Sequence, residues 1–278
     1  MPKTFYDCHC HIEYSHDSTE KIGNLCNSAI EKGLSGISIT DHCDVQHRDV
    51  YDIKSPILNS ADDAKDMDQK LDGRLRVFSG VEMGEALWCV DCANDIIAAR
   101  DYDIVLGSVH AVRSRFTDEA YSRVDFSGFS QSDVDEYLSN YFNDMQDTIE
   151  KCDFDVLCHL TCPLTYIVGK YRLRADMDKH VEKIDAILKE IIAKNIAFEI
   201  NTTTLKKPEF GETLPNFDIV KRYLDFGGDF ITLGGDSHIA PHVAFGFDEV
   251  AKTLKSMGVN KLHYFEKRKS HSYSIEGV

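Results

Sequence analysis

The sequence predicts an α/β protein in which about seven parallel strands close into a barrel. Short apolar segments alternate with amphipathic helical patterns, and strand–helix repeats of this kind give parallel strands joined by right-handed crossovers. Nearly every predicted strand ends in a histidine, an aspartate or a glutamate. Closing the sheet brings all of these ends to one rim, whereas an open sheet would spread them along a line, so their convergence favours the barrel.

The predicted strands are Phe5–His11, Gly36–Thr40, Leu75–Met83, Asp103–His110, Phe154–His159, Ile196–Asn201 and Phe230–Asp236. The first helix carries an apolar stripe from Ile22 to Ile30, and we expect Ser18 to cap it. Strong stripes also run through residues 134–149 and 181–192, and weaker ones lie near 61–71, 92–99, 217–226 and 247–256. No interdomain linker is evident, so we expect a single domain over residues 1–278.

Composition narrows the class of protein. The 278 residues are 42% hydrophobic, and the formal charge is −16, from 31 Lys and Arg against 47 Asp and Glu. This charge argues against nucleic acid or an anionic membrane as a partner. Neither an apolar leader nor a spanning run is present, so a cytoplasmic protein is expected. The nine cysteines are expected to be reduced, with Cys89 and Cys92 serving helix packing.

The first predicted strand lies within "DCHCHIEYSHDS", residues 7–18. Side chains alternate along a strand, so Asp7, His9 and His11 should share one face and Cys8 and Cys10 the other. One histidine is more often a hydrogen-bonded core residue than a ligand. Two adjacent imidazoles with carboxylates nearby instead suit a divalent transition metal.

Other strand ends supply more residues of the same types. The candidate metal ligands are His9, His11, Asp17, His42, Glu82, His110, His159, Asp236 and His238. Nine ligands are too many for one ion, so we expect two or three divalent cations (Zn²⁺, Mn²⁺ or Fe²⁺), with Glu82 available as a bridge. His16 lies next to Asp17, and the choice between these two residues stays open.

Cations in the loops after the predicted strands suggest a site for an anion. Lys170 and Arg172 follow the fifth strand, Lys206 and Lys207 follow the sixth, and Arg113 follows the fourth in a loop that also carries Arg115 and Arg123. Ammonium and guanidinium groups at the metal rim suit phosphate, although ordinary loop charge is an equally good explanation for any one of them. Arg113 is the weakest candidate, because its loop also contains acidic residues.

Together these segments resemble the polymerase-and-histidinol-phosphatase (PHP) superfamily, and within it the histidinol-phosphate phosphatases. The matching motifs, in order, are "DCHCHIEYSHDS", "TDHCD", "GVEMG", "GSVH", "CHLTCP", "EINT" and "LGGDSH". The resemblance implies a distorted, TIM-like (β/α)7 barrel with three metals. It assigns His9, His11, Glu82 and Asp236 to one ion, Glu82, His110 and His159 to a second, and Asp17, His42 and His238 to a third. It favours Asp17 over His16.

The resemblance also implies an activity, the hydrolysis of L-histidinol phosphate in histidine biosynthesis by a hydroxide shared between the metals, with no side-chain nucleophile. Lys170, and either Lys206 or Lys207, stand where relatives often carry arginine, so the substrate is less well specified than the metals. Another small phosphomonoester, a phosphodiester or a nucleotide is the alternative substrate. An amidohydrolase is disfavoured because His110 stands where a bridging lysine is typical, and a non-catalytic metal-binding module is disfavoured by the intact ligands. A homo-oligomer is left open.

Overall fold

A parallel sheet curled into a barrel is the main feature of the computed structural model, which describes residues 5–277. Its strands are β1 (Tyr6–Cys10), β2 (Gly36–Ile39), β3 (His42–Asp44), β4 (Arg76–Gly84), β5 (Ile104–Ser108), β6 (Val156–Leu157), β7 (Ala197–Asn201), β8 (Ile231–Gly234), β9 (Lys261–Glu266) and β10 (Lys269–Ser274). Seven pair in parallel in the order β1-β2-β4-β5-β6-β7-β8, and β3 pairs with the end of β4. The predicted barrel is confirmed.

The connecting helices pack their apolar sides on the outside of the sheet. They are α1 (Ile22–Glu31), α2 (Lys54–Leu71), α3 (Val90–Ile97), α4 (Gln131–Lys151), α5 (Val181–Lys194), α6 (Phe217–Asp225) and α7 (Phe247–Ser256). The longest, α4, begins with a capping box between Ser130 and Asp133. The predicted cap at Ser18 is wrong: Lys21 precedes α1, and the Ser18 hydroxyl donates to the His238 carbonyl oxygen at 3.1 Å.

The barrel closes between β1 and β8, and this seam is narrow. One isolated bridge joins Cys10 to Ser237, where the His11 amide donates to the Ser237 carbonyl oxygen at 2.9 Å. The buried Asp7 carboxylate adds a side-chain link, accepting from the Gly235 and Ala244 amides at 2.8 Å each. The seam is therefore held near the carboxyl ends of both strands, at the rim where the candidate ligands lie.

A β-bulge in β1 changes the expected alternation of side chains. Its pairing with β2 shifts between Asp7 and Cys10, so an extra residue fits opposite β2. Cys8 consequently packs inside the barrel with side chains such as Leu106 and Cys158, rather than on the outer face with Cys10. The prediction that Cys8 faces away from the barrel interior is wrong, because simple alternation does not allow for a bulge.

An antiparallel hairpin of β9 and β10 covers the barrel at the amino ends of the strands. Phe265, 4% exposed, enters the same inner cluster as Cys8, and the Tyr264 ring stacks on Tyr6 with centroids 3.8 Å apart. The two turn residues, Lys267 and Arg268, both have positive φ, at 53° and 58°. Such turns usually contain Asn-Gly, so the sequence did not indicate this hairpin.

The oxidation state of two cysteines differs from the prediction. Cys89 and Cys92 form a disulfide at the start of α3, so the prediction of reduced thiols is wrong for this pair. The other seven cysteines are free. Across residues 5–277, no helix has both the length and the apolar character needed to cross a bilayer.

Candidate metal centre

Glu82 lies at the centre of a cluster of imidazoles at the carboxyl end of the barrel. It points inward from β4 and is fully buried. Its two carboxylate oxygens face five ring nitrogens: His42 Nδ1 at 2.7 Å, His159 Nε2 at 2.8 Å, His110 Nε2 at 3.1 Å, His9 Nε2 at 3.4 Å and His11 Nε2 at 3.6 Å. One carboxylate therefore contacts side chains from three strand ends, those of β2, β5 and β6, and from the bulged first strand.

Two aspartates extend the cluster toward solvent. Asp236 Oδ1 lies 3.3 Å from His11 Nε2 and 3.5 Å from His238 Nδ1. Asp17 then faces His238 Nε2 at 3.1 Å and His42 Nε2 at 3.6 Å. The structure thus brings all nine predicted metal-ligand candidates together. The His16 ring lies beside His42, with centroids 5.3 Å apart, but its Nδ1 faces Asp44 at 3.6 Å, whereas Asp17 contacts two of the candidate ligands.

The backbone turns sharply just after β6 and β8, at the two candidate ligands that follow these strands. His159 and Asp236 both have positive φ, at 24° and 47°, a conformation that costs free energy in residues other than glycine and often occurs at functional sites. Gly234, just before this turn, passes close to the site. A Cβ atom there would lie 2.0 Å from Glu199 Oε1 and 2.9 Å from His9 Cβ, so only glycine fits.

Carboxylates and a backbone carbonyl orient several of the imidazoles from outside the cluster. His9 Nδ1 lies 2.7 Å from Glu199 Oε1, and His110 Nδ1 lies 3.2 Å from Asp44 Oδ1. His238 Nδ1 lies 3.1 Å from the Asp236 carbonyl oxygen. Each acceptor holds a ring proton on Nδ1, so Nε2 is the nitrogen that faces the cluster. Sequence reasoning missed Glu199 and Asp44, although Glu199 shares the inward face of its strand with Ala197.

The electrostatic balance of the cluster favours ionised carboxylates. Burial alone would raise the pKa of Glu82, but the imidazoles of His110, His42 and His9 hold it well below its usual value. Burial and the neighbouring His238 and His42 rings hold the pKa of His11 well below its usual value, which keeps that ring neutral. Burial also raises the pKa of the Cys8 and Cys158 thiols well above normal, so neither is a thiolate.

The donor atoms have the pattern expected of metal ligands. Among residues 5–277, the buried atoms without a well-formed hydrogen bond include His9 Nε2, His11 Nε2, His42 Nδ1, His238 Nε2 and Glu82 Oε2, all of them in this cluster. Unpaired buried polar atoms are costly unless another group satisfies them. Compact sets of possible ligands include His9, His11 and Glu82, then His42, Glu82 and His110, and then His11, His42 and His238. Neutral imidazole and carboxylate suit Zn²⁺, Mn²⁺ or Fe²⁺, so the residues fit such ions.

A cavity of about 370 Å³ opens above the cluster, and its walls carry positive charge. Lys206, Lys207 and Arg123 line it, together with Tyr121, Tyr166 and His242. The structure thus places Lys206 and its neighbour Lys207 at the site, together with Arg123 from the loop after β5. Neither lysine has a carboxylate partner among the described residues. Two successive lysines after β7 indicate this pair in the sequence, whereas Arg123 shares the acidic loop of Arg113 and has no comparable signal.

The other three predicted phosphate-binding residues do not line this cavity within the described part of the chain. Arg113 pairs with Asp144 and Asp147 at 2.7 Å each. Arg172 is exposed and donates to the Glu209 carbonyl oxygen at 2.9 Å, and Lys170 lies over the Tyr171 ring. The loop after β6 turns into a short π-helix, Thr165–Lys170, and it is Tyr166 rather than a cation of this loop that reaches the cavity.

A side chamber of about 300 Å³ adjoins the main cavity, and both share His42, Asp44 and Arg123 in their walls. Aromatic and apolar side chains form much of its remaining surface, namely Tyr14, Tyr51, Ile53 and Pro56. Asp52 adds a carboxylate at its edge. The chamber therefore suits an organic group that combines an apolar or aromatic part with positive charge.

A parallel barrel that gathers histidines and carboxylates at the carboxyl ends of its strands defines a metal-binding barrel protein. The PHP domain model matches residues 7–203, most of the chain, and the chain belongs to that family.

Relatives extend the comparison over nearly the whole length. A probable histidinol-phosphatase of Clostridium acetobutylicum is 28% identical over 268 residues, covering 95% of this chain and 97% of that protein. A histidinol-phosphatase of Lactococcus lactis is 26% identical over 265 residues, 93% of each chain. The fold matches the crystal structure of histidinol phosphate phosphatase from Lactococcus lactis, complexed with zinc, L-histidinol and phosphate. The TM-score is 0.76 at 23% identity, with 96% of this chain and 99% of the other covered.

Proposed function

We propose that this protein is a metal-dependent phosphatase that hydrolyses L-histidinol phosphate to L-histidinol and inorganic phosphate. The main observation is a buried cluster of nine metal-ligand side chains beneath a cavity with two unpaired lysines. The family match and the names of the full-length relatives point to the same reaction.

The proposed ligands form three sets, of which the first two share Glu82. His9, His11, Glu82 and Asp236 hold one ion, Glu82, His110 and His159 a second, and Asp17, His42 and His238 a third. Glu82 contacts members of all three sets, with His42 Nδ1 nearest at 2.7 Å, whereas Asp17 contacts only His42 and His238. Divalent cations there supply a Lewis acid for the phosphoryl oxygens and an activated water as nucleophile.

The chain's own cations act on the phosphoryl group from the opposite wall. Lys206 and Lys207 present ammonium groups with no carboxylate partner in the described structure, so their charge is available to an anion. Arg123 contributes a guanidinium, which meets Glu119 only at 3.9 Å. Fixed positive charges that face the phosphoryl oxygens stabilise the negative charge of the transition state without reorganisation.

The leaving alcohol occupies the side chamber. L-Histidinol has an aromatic ring and an ammonium group, and the chamber offers Tyr14, Tyr51 and the Asp52 carboxylate. The chamber meets the main cavity at His42, next to the metal cluster, so one molecule can place its phosphate over the cluster and its ring in the chamber. Its volume of about 300 Å³ is ample for an alcohol of this size.

A substrate panel tests the reaction. Protein reconstituted with Zn²⁺ or Mn²⁺ should hydrolyse L-histidinol phosphate with a much higher kcat/KM than p-nitrophenyl phosphate, phosphodiesters or nucleotides. Tyr51→Ala should lower this preference without changing the rate for p-nitrophenyl phosphate. Equal kcat/KM values for histidinol phosphate and p-nitrophenyl phosphate would refute the substrate assignment. A preference for another phosphoester would refute it too and would identify the alternative substrate.

The role of Lys206 has a matched control in Lys170, a lysine that lies outside the cavity. Lys206→Met should lower kcat/KM for histidinol phosphate by one to three orders of magnitude, about 1.4–4 kcal/mol of transition-state stabilisation. Lys170→Met should leave it unchanged. If both variants retain wild-type kinetics, the phosphate is held by other groups, and Lys207 and Arg123 become the next to test.

A further inference from the structure

One fully buried carboxylate near the metal centre has no part in the proposed mechanism. Asp41 lies directly after β2, and the residue is fully buried. Its Oδ1 accepts from the Ile12 amide at 2.7 Å and lies 2.6 Å from Ser15 Oγ, while Ser60 Oγ donates to Oδ2. No lysine or arginine pairs with it within residues 5–277, so its contacts are to neutral groups.

The proton positions around Ser15 follow from these contacts. Ser15 Oγ meets three groups: Asp41 Oδ1 at 2.6 Å, the His42 amide nitrogen at 3.1 Å and His11 Nδ1 at 3.0 Å. The Ile12 amide donates to Asp41 Oδ1 at 2.7 Å, and the hydroxyl oxygen of a carboxylic acid is a poor acceptor, so Oδ1 is best satisfied as an unprotonated oxygen that also accepts from Ser15. A hydroxyl has one proton, and Ser15 gives it to Asp41. Its oxygen therefore accepts from the other two groups, and His11 Nδ1 must carry a hydrogen.

We propose that Asp41 and Ser15 form a positioning relay that fixes the tautomer of His11. With hydrogen on Nδ1, the ring presents an unprotonated Nε2 to Asp236 Oδ1 at 3.3 Å and Glu82 Oε2 at 3.6 Å. His9 and His110 reach the same state through direct contact with a carboxylate, whereas His11 does so through a serine with a carboxylate behind it. The inference rests on the proposed metal-binding role of His11.

Ser15 and Ser60 provide a matched pair of substitutions. Both are buried serines whose hydroxyls donate to Asp41, but only Ser15 contacts an imidazole. Ser15→Ala should weaken zinc binding by about 10- to 100-fold, the usual effect of losing an outer hydrogen-bond partner of a metal ligand. Ser60→Ala removes a hydrogen bond on the other side of Asp41 and should leave zinc affinity within about threefold of wild type. Equilibrium dialysis with Zn²⁺ measures both.

The tautomer itself can be observed by two-dimensional ¹⁵N NMR of the histidine rings in the full-length, metal-free protein, with His11 assigned from the signals lost in His11→Gln. Wild type and Ser60→Ala should show hydrogen on His11 Nδ1, and Ser15→Ala should show a mixture of tautomers. Hydrogen on Nε2 in the wild type would overturn the proposal, even if Ser15→Ala does not fold. Equal zinc affinity in the two serine variants would also overturn it. Neither measurement uses a substrate, so both remain valid if the proposed phosphatase activity fails.

Discussion

Replacing Glu82 with glutamine should damage the metal centre far more than replacing Asp17 with asparagine. Both substitutions keep the side-chain shape and remove one negative charge. Glu82 is fully buried and contacts five imidazoles, whereas the Asp17 side chain is 44% exposed and contacts two. Glu82 serves two of the proposed ligand sets, while Asp17 serves one.

The difference in burial sets the expected magnitude. Two unit charges about 4 Å apart interact by about 4 kcal/mol at an effective dielectric constant of about 20, and by about 1 kcal/mol in water. The first value is appropriate for Glu82 and the second for the partly hydrated Asp17. Metal affinity should therefore fall by about a thousandfold in Glu82→Gln and by about fivefold in Asp17→Asn.

Elemental analysis of tag-free protein, after dialysis against a competing chelator, measures the retained metal, and circular dichroism verifies folding. Wild type should hold two or three first-row metals per chain, Asp17→Asn should lose one ion, and Glu82→Gln should lose most of them. Equal metal loss in the two folded variants, or full metal content in Glu82→Gln, would refute the reasoning that Glu82 bridges two ions.

Three further outcomes are expected. Exhaustive chelation should abolish phosphatase activity and Zn²⁺ or Mn²⁺ should restore it, while chelator-resistant turnover would contradict a metal-dependent reaction. Phe265→Ala should destabilise the metal-free protein by about 3–5 kcal/mol in urea unfolding, because it empties the base of the barrel, whereas the exposed Phe245→Ala should have little effect. Gly234→Ala should reduce metal content, because its Cβ would collide with Glu199, and Gly23→Ala, which has open space, should not.

The strand–helix alternation was sufficient to predict the barrel, because buried parallel strands and amphipathic helices have clear periodicities. The features that the sequence did not predict are those with weak local signals. The Lys267–Arg268 turn lacks asparagine and glycine, so β9 and β10 were missed. The β1 bulge is visible only as a change in register with β2, and it reversed the expected position of Cys8.

The candidate site was likewise predicted only in part: the sequence indicated the metal ligands better than the phosphate-binding residues. Residue type and position at strand ends predicted eight of the nine side chains of the cluster, and the family resemblance favoured Asp17 over His16 for the ninth. The phosphate-binding cations were harder to predict, because a loop sequence does not specify which side chain turns inward. Arg113 and Arg123 belong to one loop, yet the first pairs with Asp144 and the second reaches the cavity. The orienting groups Asp41 and Glu199 lie within the "TDHCD" and "EINT" motifs, but their roles emerged only from their hydrogen bonds.

The seam between β1 and β8 joins segments more than 200 residues apart, so its closure carries a large loss of chain entropy for few backbone hydrogen bonds. His11 on one side of the seam and Asp236 on the other lie 3.3 Å apart. A cation shared by these two residues would link the first and last strands of the barrel directly. Metal binding and ring closure are then one linked equilibrium, and the amides of His11 and Ser237 report on both through the rate at which they exchange with solvent deuterium.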